Sequence, residues 1–356
     1  MSPLATRLAL SVPLLQAPMA GVSTPAMAAA VCEAGALGAI AVGATDAAGA
    51  RAMIRAVRAA TDRAFNVNVF VHADPSPDSA REAAWLNALA PHFAAVGAAP
   101  PATLRPLYRS FACDHDMLAM LLEERPAVVS FHFGLPPAAT IAALRNAGIM
   151  LFATATNLAE AEAVERAGLD AIVAQGIEAG GHRGLFDPAL PDDALTTVTL
   201  TRLLARRGTC PVIAAGGIMD GAGIAAVLAL GAAAAQLGTA FIDCPESAAD
   251  AGYRAALHGP GAAHTRLTSA ISGRPARCLA NRFTALAEAT TTVTPPAYPI
   301  AYDAGKALHA AAIARGEHGY GAHWAGQGAP LARALPAGAL VTTLAAEMTT
   351  AGWSPA

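Results

Sequence analysis

The sequence of 356 residues has few charged side chains, few aromatic side chains and no long uninterrupted apolar run. Only 14% of its residues are charged and 5% are aromatic, whereas 54% are hydrophobic. Glycine, proline or polar residues break every apolar stretch before it reaches the roughly 18 residues that a membrane-spanning helix needs. The composition therefore excludes such a helix and predicts a core of small aliphatic side chains.

Cysteine pairs and positive charge are also scarce. The five cysteines form no C-x-x-C pair, which argues against a disulfide framework or a zinc site and favours reduced thiols in a cytoplasmic protein. A net charge of −3 without a basic cluster argues against a nucleic-acid partner. Arg7 precedes an apolar run, but Pro13 and Pro18 interrupt it, so a first strand is a better interpretation than a secretory signal. We expect a cytoplasmic protein with no metal, nucleic-acid or membrane partner.

Short apolar segments alternate with alanine-rich segments along most of the chain. The apolar segments are predicted strands, at residues 14–20, 37–42, 65–70, 128–133, 149–155, 169–175, 211–215 and 232–242. Predicted helices occupy residues 24–34, 46–60, 137–147, 158–167, 194–207 and 221–230. Apolar strands without polar alternation are typical of a parallel sheet that is buried on both faces.

Eight predicted strands alternating with helices favour an α/β fold of the (β/α)8 TIM-barrel type, with a doubly wound sheet as the alternative. Polar residues and glycines fall at the predicted carboxyl ends of the strands, where barrel active sites form: Gln16, Asn68, His132, Thr154, Gln175, Gly216, Gly217, Gly238 and Thr239. We assign residues 1–74, 115–243 and roughly 325–352 to the barrel. Residues 75–114 and 244–324 are assigned to a mostly helical cap that covers the mouth and contributes to the substrate pocket.

One glycine-rich loop follows the sixth predicted strand. Residues 174–184 read Ala-Gln-Gly-Ile-Glu-Ala-Gly-Gly-His-Arg-Gly. Gly180 and Gly181 lack side chains and would let a ligand approach the backbone. His182 is the titratable group of this loop, and we expect its pKa to lie near neutral pH. A solvated histidine in a glycine-rich turn is the alternative interpretation.

Two other strand ends predict a phosphate site. Gly216 and Gly217 follow the seventh predicted strand and Gly238 follows the eighth, where barrels commonly hold a phosphate. A helix start near Asp220 would add backbone donors. Residues 221–226 also match the dinucleotide fingerprint G-x-G-x-x-A, but this motif lies one turn inside the helix, so we do not favour it.

The amide side chains of Asn68 and Gln175 suit the donor and acceptor edge of a heterocycle. Flavin mononucleotide (FMN) contains both parts that these sites suit. Its phosphate would lie at the seventh and eighth strands, and its ring would lie over the barrel axis. We therefore predict FMN as the simplest occupant of the barrel mouth.

Several motifs resemble those of nitronate monooxygenases, formerly called 2-nitropropane dioxygenases, of the bacterial class I group. They occupy residues 16–25, 65–68, 130–134, 174–184, 214–220, 271–277, 298–306 and 324–330. The resemblance covers nearly the whole chain and is weakest at residues 75–125. It implies that the protein carries non-covalent FMN and oxidises alkyl nitronates, such as propionate 3-nitronate, with O2 to a carbonyl compound and nitrite.

The resemblance also implies roles for individual residues. His182 would be the catalytic histidine, and the base if the substrate arrives as a neutral nitroalkane. The implied substrate-pocket residues are His132, Tyr298, Tyr302 and Lys306. The implied FMN-binding residues are Met19, Asn68, Gln175, Gly180, Gly217, Gln236, Leu237, Gly238 and Thr239. A nitronate is an anion, so Lys306 and the histidines would serve as cations or hydrogen-bond donors.

Other interpretations remain open. Without a role in the site, Lys306 would be an exposed lysine that precedes an alanine-rich helix. The two tyrosines would pack in a lid, and His132 would be a barrel histidine whose hydrogen bonds are satisfied by the protein. The alternative function is an FMN-dependent NAD(P)H:quinone reductase. An isomerase or lyase without redox chemistry is disfavoured, because the strand ends carry amides and glycines instead of lysine or paired carboxylates. The oligomeric state stays open between monomer and homodimer.

Overall fold

Parallel strands that carry apolar residues on both faces form the centre of the computed structural model, which describes residues 2–289 and 292–354. Met1 of the predicted barrel and residues 290 and 291 of the predicted cap lie outside the described residues. The strands are β1 (Leu14–Gln16), β2 (Gly38–Ala41), β3 (Phe65–Phe70), β4 (Val128–His132), β5 (Met150–Ala155), β6 (Ala171–Gln175), β7 (Gly181–His182), β8 (Val212–Ala215), β9 (Ala234–Leu237), β10 (Thr265–Thr268) and β11 (Ala276–Leu279).

The central sheet has eight parallel strands in the described residues, in the order β1, β9, β8, β6, β5, β4, β3, β2. A parallel bridge between Leu15 and Leu37 joins β1 to the start of β2, so the sheet closes on itself. The predicted (β/α)8 barrel is confirmed, and the doubly wound alternative is wrong. The carboxyl ends of all eight strands therefore meet at one mouth.

The helices are α1 (Pro3–Arg7), α2 (Pro25–Glu33), α3 (Ala47–Ala60), α4 (Ser79–Ala95), α5 (His115–Glu124), α6 (Ala138–Asn146), α7 (Leu158–Arg166), α8 (Thr197–Arg207), α9 (Gly221–Ala229), α10 (Ala251–Leu257), α11 (Arg282–Ala289), α12 (Ile300–Ile313) and α13 (Ala337–Thr350). Side-chain caps explain where several begin. The carboxylate of Asp46 accepts from Gly49 N at 2.8 Å ahead of α3, as predicted, and Asp220 accepts from Gly223 N at 2.8 Å ahead of α9.

Two barrel strands are shorter than predicted. The strand predicted at 14–20 ends at Gln16, because the chain turns where the Met19 carbonyl accepts hydrogen bonds from Val22 N and Ser23 N. The strand predicted at 232–242 ends at Leu237 and is followed by a 3₁₀ turn at Thr239–Phe241. Both turns lie at the mouth, so the polar groups that follow these strands face it.

The first helix, which the sequence did not predict, closes the opposite end of the barrel. Leu4 of α1 and Leu8, which follows the helix, pack with Leu15, Phe152 and Ile213 in one buried cluster inside the strands. This leaves the barrel with a single open end. Outside the barrel, Leu340 and Leu344 of α13 pack in a cluster with residues of α2 and α9.

The segments predicted as a helical cap also contain strands. β10 and β11 pair antiparallel, and β11 also pairs with β7, with His182 opposite Ala276 and Gly181 opposite Arg277. The glycine-rich loop thus includes a short strand that is anchored to the cap. The division of the chain into barrel and cap segments stays a prediction.

The motif at residues 298–306 is mostly helical. Only Tyr298 and Pro299 precede α12, and Lys306 lies within this helix instead of preceding it. The apolar face of α12 packs against α4 of the 75–114 insertion through Trp85, Phe93 and Leu308. Among residues 2–289 and 292–354, no helix is long and apolar enough to cross a membrane.

Candidate active site

A cavity of about 630 Å³ occupies the mouth of the barrel, a size typical of small-molecule and cofactor sites. Its strand-end floor is formed by Asn68, Gln175, Gly216, Gly217, Gln236 and Gly238. Its cap wall is formed by Tyr108, Tyr298, Tyr302, Lys306 and Trp324. The wall residues come from the two segments that the sequence assigned to a cap, residues 75–114 and 244–324.

All but one of the predicted site residues line this cavity. The exception is Leu237, which is 1% exposed and packs in the core between the sheet and α13. Its side chain is therefore not available to a ligand. Met19 and Thr239 line the cavity beside Gly238, and the Thr239 hydroxyl accepts a hydrogen bond from Gly326 N at 3.0 Å.

Free backbone donors mark one end of the strand-end floor. The N–H groups of Gly216, Gly217 and Gly238 donate no hydrogen bond to another described residue. Gly216 and Gly217 have φ angles of +129° and +69°, which glycine adopts without strain. At Gly238, a methyl group would meet only ordinary contacts, at 3.4 Å from Ala17 and 3.6 Å from Met19. The protein's own packing does not require glycine there, whereas a ligand close to the backbone would.

The two glycines before His182 both line the cavity and also have structural reasons to be glycine. A Cβ on Gly180 would lie 2.4 Å from Gly326 N and within 2.8 Å of Ala325, so this glycine permits contact between two stretches of protein backbone. Gly181 has a φ angle of +74°, which favours glycine. That they let a ligand approach the backbone stays a prediction.

The amides of the strand-end floor are only partly used by the protein. Asn68 Nδ2 donates to the carbonyl and hydroxyl of Ser130 at 3.1 and 3.0 Å, and its Oδ1 accepts from no described residue. Gln175 Nε2 donates to the His182 carbonyl at 3.0 Å, while its Oε1 accepts from Gly184 N at 2.8 Å. Asn68 therefore offers an acceptor to the cavity, and Gln175 mainly holds the loop that carries His182.

His182 lines the cavity, and only one of its two ring nitrogens is hydrogen-bonded to the protein. Nε2 lies 2.8 Å from the hydroxyl of Ser272, and Nδ1 contacts no hydrogen-bonding partner among the described residues. The ring centroid is 5.4 Å from that of Tyr298 and 5.1 Å from that of Trp324. Burial, followed by the charges of His132 and Arg274, lowers the pKa of His182 to about 3. The pKa of His182 thus lies below the near-neutral value that we predicted, because the rings of Tyr298 and Trp324 enclose much of the imidazole.

His132 is held at both ring nitrogens. Nδ1 lies 2.9 Å from Thr154 Oγ1, and Nε2 lies 3.2 Å from the His182 carbonyl. Because a carbonyl can only accept, Nε2 carries the hydrogen and Nδ1 accepts from the threonine hydroxyl. Burial, followed by the nearby arginines, lowers the pKa of His132 to about 4. His132 is thus the satisfied histidine of the alternative interpretation: it lines the cavity as a neutral ring and supports the His182 backbone.

The cap wall presents hydroxyl donors without acceptors. Tyr298 Oη is buried without a hydrogen-bonding partner, and Tyr302 Oη accepts from Trp324 Nε1 at 3.3 Å and retains its own hydrogen for donation. Burial raises the pKa of both phenols and raises that of Tyr108 to about 12. All three tyrosines are therefore protonated at neutral pH.

Lys306 supplies the positive charge of the cap wall. Its side chain is exposed at the mouth, yet Nζ lies 5.0 Å from the ring centroid of Tyr108 and 5.1 Å from that of Tyr302. This partial enclosure lowers the pKa of Lys306. Asp303, one turn earlier in α12, instead lies 4.0 Å from Arg105. Lys306 is therefore available to an anion in the cavity.

Sequence reasoning missed several residues of the site. Tyr108 lies in the insertion, where the resemblance was weakest. Phe133 and Trp324 fall inside recognised motifs, but no role was assigned to them. Phe133 lines the cavity with a φ angle of +79°, an uncommon conformation for a residue with a side chain.

The dinucleotide fingerprint at residues 221–226 serves the fold. A Cβ on Gly221 would lie 2.3 Å from Met348 N, and Gly221 N donates to Glu347 Oε2 at 2.8 Å. This glycine faces α13 and not the cavity. Its identity is explained by close helix packing.

The chain matches the family model described as "Nitronate monooxygenase" over residues 2–347. A nitronate monooxygenase of Paraburkholderia phytofirmans is 64% identical over 336 residues, which cover 94% of this chain and 92% of that protein. A nitronate monooxygenase of Pseudomonas aeruginosa is 57% identical over 336 residues, covering 94% of this chain and 96% of that protein.

Solved structures agree in fold. The nitroalkane oxidase of Streptomyces ansochromogenes is 44% identical with a TM-score of 0.89, covering 98% of this chain and 99% of that one. FabK of Thermotoga maritima is 29% identical with a TM-score of 0.75, covering 98% and 96%. The family match spans nearly all of the chain, and it implies an oxidoreductase that uses a flavin. The chain belongs to the nitronate monooxygenase family.

Proposed function

We propose that the chain binds FMN on the strand-end floor and oxidises alkyl nitronates with O2 to a carbonyl compound and nitrite. The observation that carries this proposal is the chemistry of the cap wall. Lys306 and the hydroxyls of Tyr298 and Tyr302 form a set of donors that lacks an anionic partner among the described residues. A small anion such as a nitronate matches this set.

The strand-end floor fits FMN. The free N–H groups of Gly216, Gly217 and Gly238 suit a phosphate, and the N-terminus of α9 lies just beyond them. The free Oδ1 of Asn68 suits an N–H group on the edge of the flavin ring. When bound, FMN would supply the electron acceptor of the reaction, and O2 would be the final oxidant.

The chain's own residues would bind and orient the substrate between floor and wall. Lys306 offsets the charge of the nitronate, and the Tyr302 hydroxyl donates to its oxygens, while the Tyr298 hydroxyl is buried behind the wall. His182 is neutral in the free site, because burial lowers its pKa to about 3. Such a weak base is poorly matched to removing a proton from a neutral nitroalkane. We therefore expect anionic nitronates to react much faster than neutral nitroalkanes.

A spectrum and two mixing experiments test this function. The purified protein should show a flavin absorption spectrum and release one FMN per chain on denaturation. Anaerobic propionate 3-nitronate should bleach the flavin within the turnover time, and in air it should consume O2 and release nitrite. NADH and NADPH should bleach the flavin far more slowly.

Two outcomes would contradict the proposal. A colourless protein that gains neither colour nor thermal stability from added FMN would exclude the cofactor. Rapid bleaching by NADPH, with quinone-dependent turnover and no nitrite from any nitronate, would instead establish the quinone reductase. The one glycine fingerprint that suggested a nucleotide site packs against α13, which gives that reductase no specific support.

A further inference from the structure

Ser272 is a fully buried serine whose hydroxyl contacts His182. It lies between β10 and β11, outside the barrel, and does not line the cavity. Its Oγ lies 2.8 Å from His182 Nε2, 3.1 Å from the Arg274 carbonyl oxygen and 3.4 Å from Arg274 N. The hydroxyl therefore contacts one ring nitrogen, one acceptor and one donor.

Counting hydrogens assigns the direction of each contact. A serine hydroxyl has one hydrogen to donate and two lone pairs with which to accept. All three contacts can be hydrogen bonds at the same time only if the hydroxyl hydrogen points to the Arg274 carbonyl, because a carbonyl can only accept. The Arg274 N–H and His182 Nε2 must then donate to Oγ. His182 consequently carries its hydrogen on Nε2, and Nδ1 of the neutral ring is unprotonated.

The His182 backbone is fixed independently of Ser272. Its carbonyl accepts from His132 Nε2 at 3.2 Å and from Gln175 Nε2 at 3.0 Å, and its strand pairs with Ala276. Nδ1 has no hydrogen-bonding partner among the described residues, and it is not fully buried. It is therefore open to the cavity. Backbone and ring together present one defined nitrogen to whatever binds there.

We propose that Ser272 is a positioning residue that holds His182 as the Nε2–H tautomer, so that Nδ1 is the atom that takes up a proton when an anionic substrate binds. This inference rests on the proposed function. A proton from solvent adds to the Nδ1 lone pair and forms an N–H bond, while Nε2 keeps its hydrogen. The imidazolium then donates from Nδ1 to the substrate oxygen. No ring flip is needed, because Ser272 accepts from Nε2 in both forms.

The surroundings explain why protonation awaits the anion. His132 on β4 and Arg274 ahead of β11 act electrostatically against a charge on His182, and Tyr298 and Tyr302 enclose the ring from the cap wall. The free site thus disfavours the imidazolium. A bound negative charge reverses this balance, because an opposite charge at short range favours the protonated form.

Nitrogen NMR of the flavin-loaded enzyme, labelled with ¹⁵N at histidine, tests the tautomer directly. His182→Asn assigns the signals by removing them. We expect one protonated nitrogen, Nε2, and one unprotonated nitrogen, Nδ1, from pH 6 to 8. Titration with nitrite, used as a small-anion probe, should protonate Nδ1 with no change at Nε2. A protonated Nδ1 beside an unprotonated Nε2 in the free enzyme would overturn the proposal.

Ser272→Ala removes the acceptor and should give a mixture of the two tautomers. We expect kcat/KM for propionate 3-nitronate to fall about tenfold, as for loss of one orienting hydrogen bond, with the flavin content unchanged. Ser272→Thr retains a hydroxyl and should restore the parent's nitrogen signals. Ser110→Ala is the matched control, since Ser110 is 1% exposed, accepts from His72 N at 3.0 Å and does not line the cavity.

Parent-like nitrogen signals and kcat/KM in Ser272→Ala would overturn the role of the serine. If this variant does not fold, the signals of the parent enzyme still decide the tautomer. The NMR result is also independent of turnover. If the enzyme shows the Nε2–H tautomer but releases no nitrite, the assignment of Nδ1 stands and the proposed function is rejected. If it releases nitrite but shows the Nδ1–H tautomer, the proposed function stands and the role of Ser272 is rejected.

Discussion

The strand-end floor and the cap wall enclose the same cavity with opposite chemistry. The floor consists of glycines and amides, whose free groups are neutral and belong largely to the backbone. The wall consists of aromatic side chains, phenolic hydroxyls and a single ammonium group. The floor is positioned by the barrel strands, whereas the wall is positioned by α12 and the 75–114 insertion.

This difference fits the proposed function, in which two distinct anions are recognised in two distinct ways. Backbone N–H groups at strand ends need no side-chain ordering and suit a phosphate that stays bound. Lys306 and the tyrosines lie at the more exposed side of the cavity, where a substrate can enter and leave. Each prediction below changes one region and measures whether the other keeps its function.

The largest effect is expected from a negative charge on the floor. Gly217→Asp places a carboxylate beside the proposed phosphate site, and juxtaposed like charges cost several kcal/mol, so FMN should bind about 10²- to 10³-fold more weakly. Equilibrium dialysis of the apoprotein with FMN measures this change. Gly208→Asp is the control, because Gly208 has almost the same φ angle, +68° against +69°, and lies outside the cavity. Equal FMN affinity in both variants would place the phosphate elsewhere.

The next largest effect concerns the histidine between floor and wall. His182→Asn should retain FMN and lower kcat/KM for propionate 3-nitronate by about 10², since it removes the one ring nitrogen open to the cavity. His132→Gln should cost less, because both nitrogens of His132 bind protein groups. Steady-state rates and flavin spectra measure both. A greater loss in His132→Gln than in His182→Asn would reverse these assignments.

The floor was largely predictable from the sequence, for a physical reason. In a parallel barrel every strand ends at the same mouth, so Asn68, Gly216 and Gly238 could be placed together from strand counting alone. What the sequence did not predict for the floor is which distant segments of the chain pack against its residues. Gly180 packs against a segment almost 150 residues later in the chain, a contact that no local pattern contains.

The wall was predictable only through the resemblance to a family. Tyr298, Tyr302 and Lys306 follow from a matched motif, but their arrangement depends on how α12 packs on α4, which involves long-range contacts. Tyr108 was missed because its segment matches the family least. The lowered pKa of His182 was also missed, because its cause is the enclosure of the imidazole by the rings of Tyr298 and Trp324, which only the folded structure brings together.

A smaller effect is expected from removing the charge of the wall. Lys306→Met should raise KM for propionate 3-nitronate by up to ~10² and change kcat less, because the ammonium acts on an anion before and during reaction alike. Lys306→Arg keeps the charge and should recover most of the affinity. Neither change should alter FMN content. An unchanged KM in Lys306→Met would mean that the wall does not bind the substrate through its charge.

The smallest effect concerns a histidine inside the cap, which tests whether the wall is supported independently of the floor. His323 is 4% exposed, stacks on Tyr253 at 4.9 Å and has no partner at either ring nitrogen. Burial, followed by the charge of His309, lowers its pKa to about 4. Between about pH 4 and the ordinary value of 6.5 the unfolded chain binds a proton that the folded chain does not, so folded stability falls as the pH drops through this window.

His323→Phe should remove this contribution, about 2 kcal/mol at pH 5. The Tm of the variant should therefore fall less than that of the parent between pH 7.5 and pH 5, with FMN present in excess. At neutral pH the variant should be at least as stable, because two buried nitrogens without partners are replaced by carbon. FMN affinity should stay the same, since His323 does not line the cavity. If the Tm of both proteins falls equally with pH, His323 is solvated in the folded protein, and the acid sensitivity arises from the histidines at the barrel mouth.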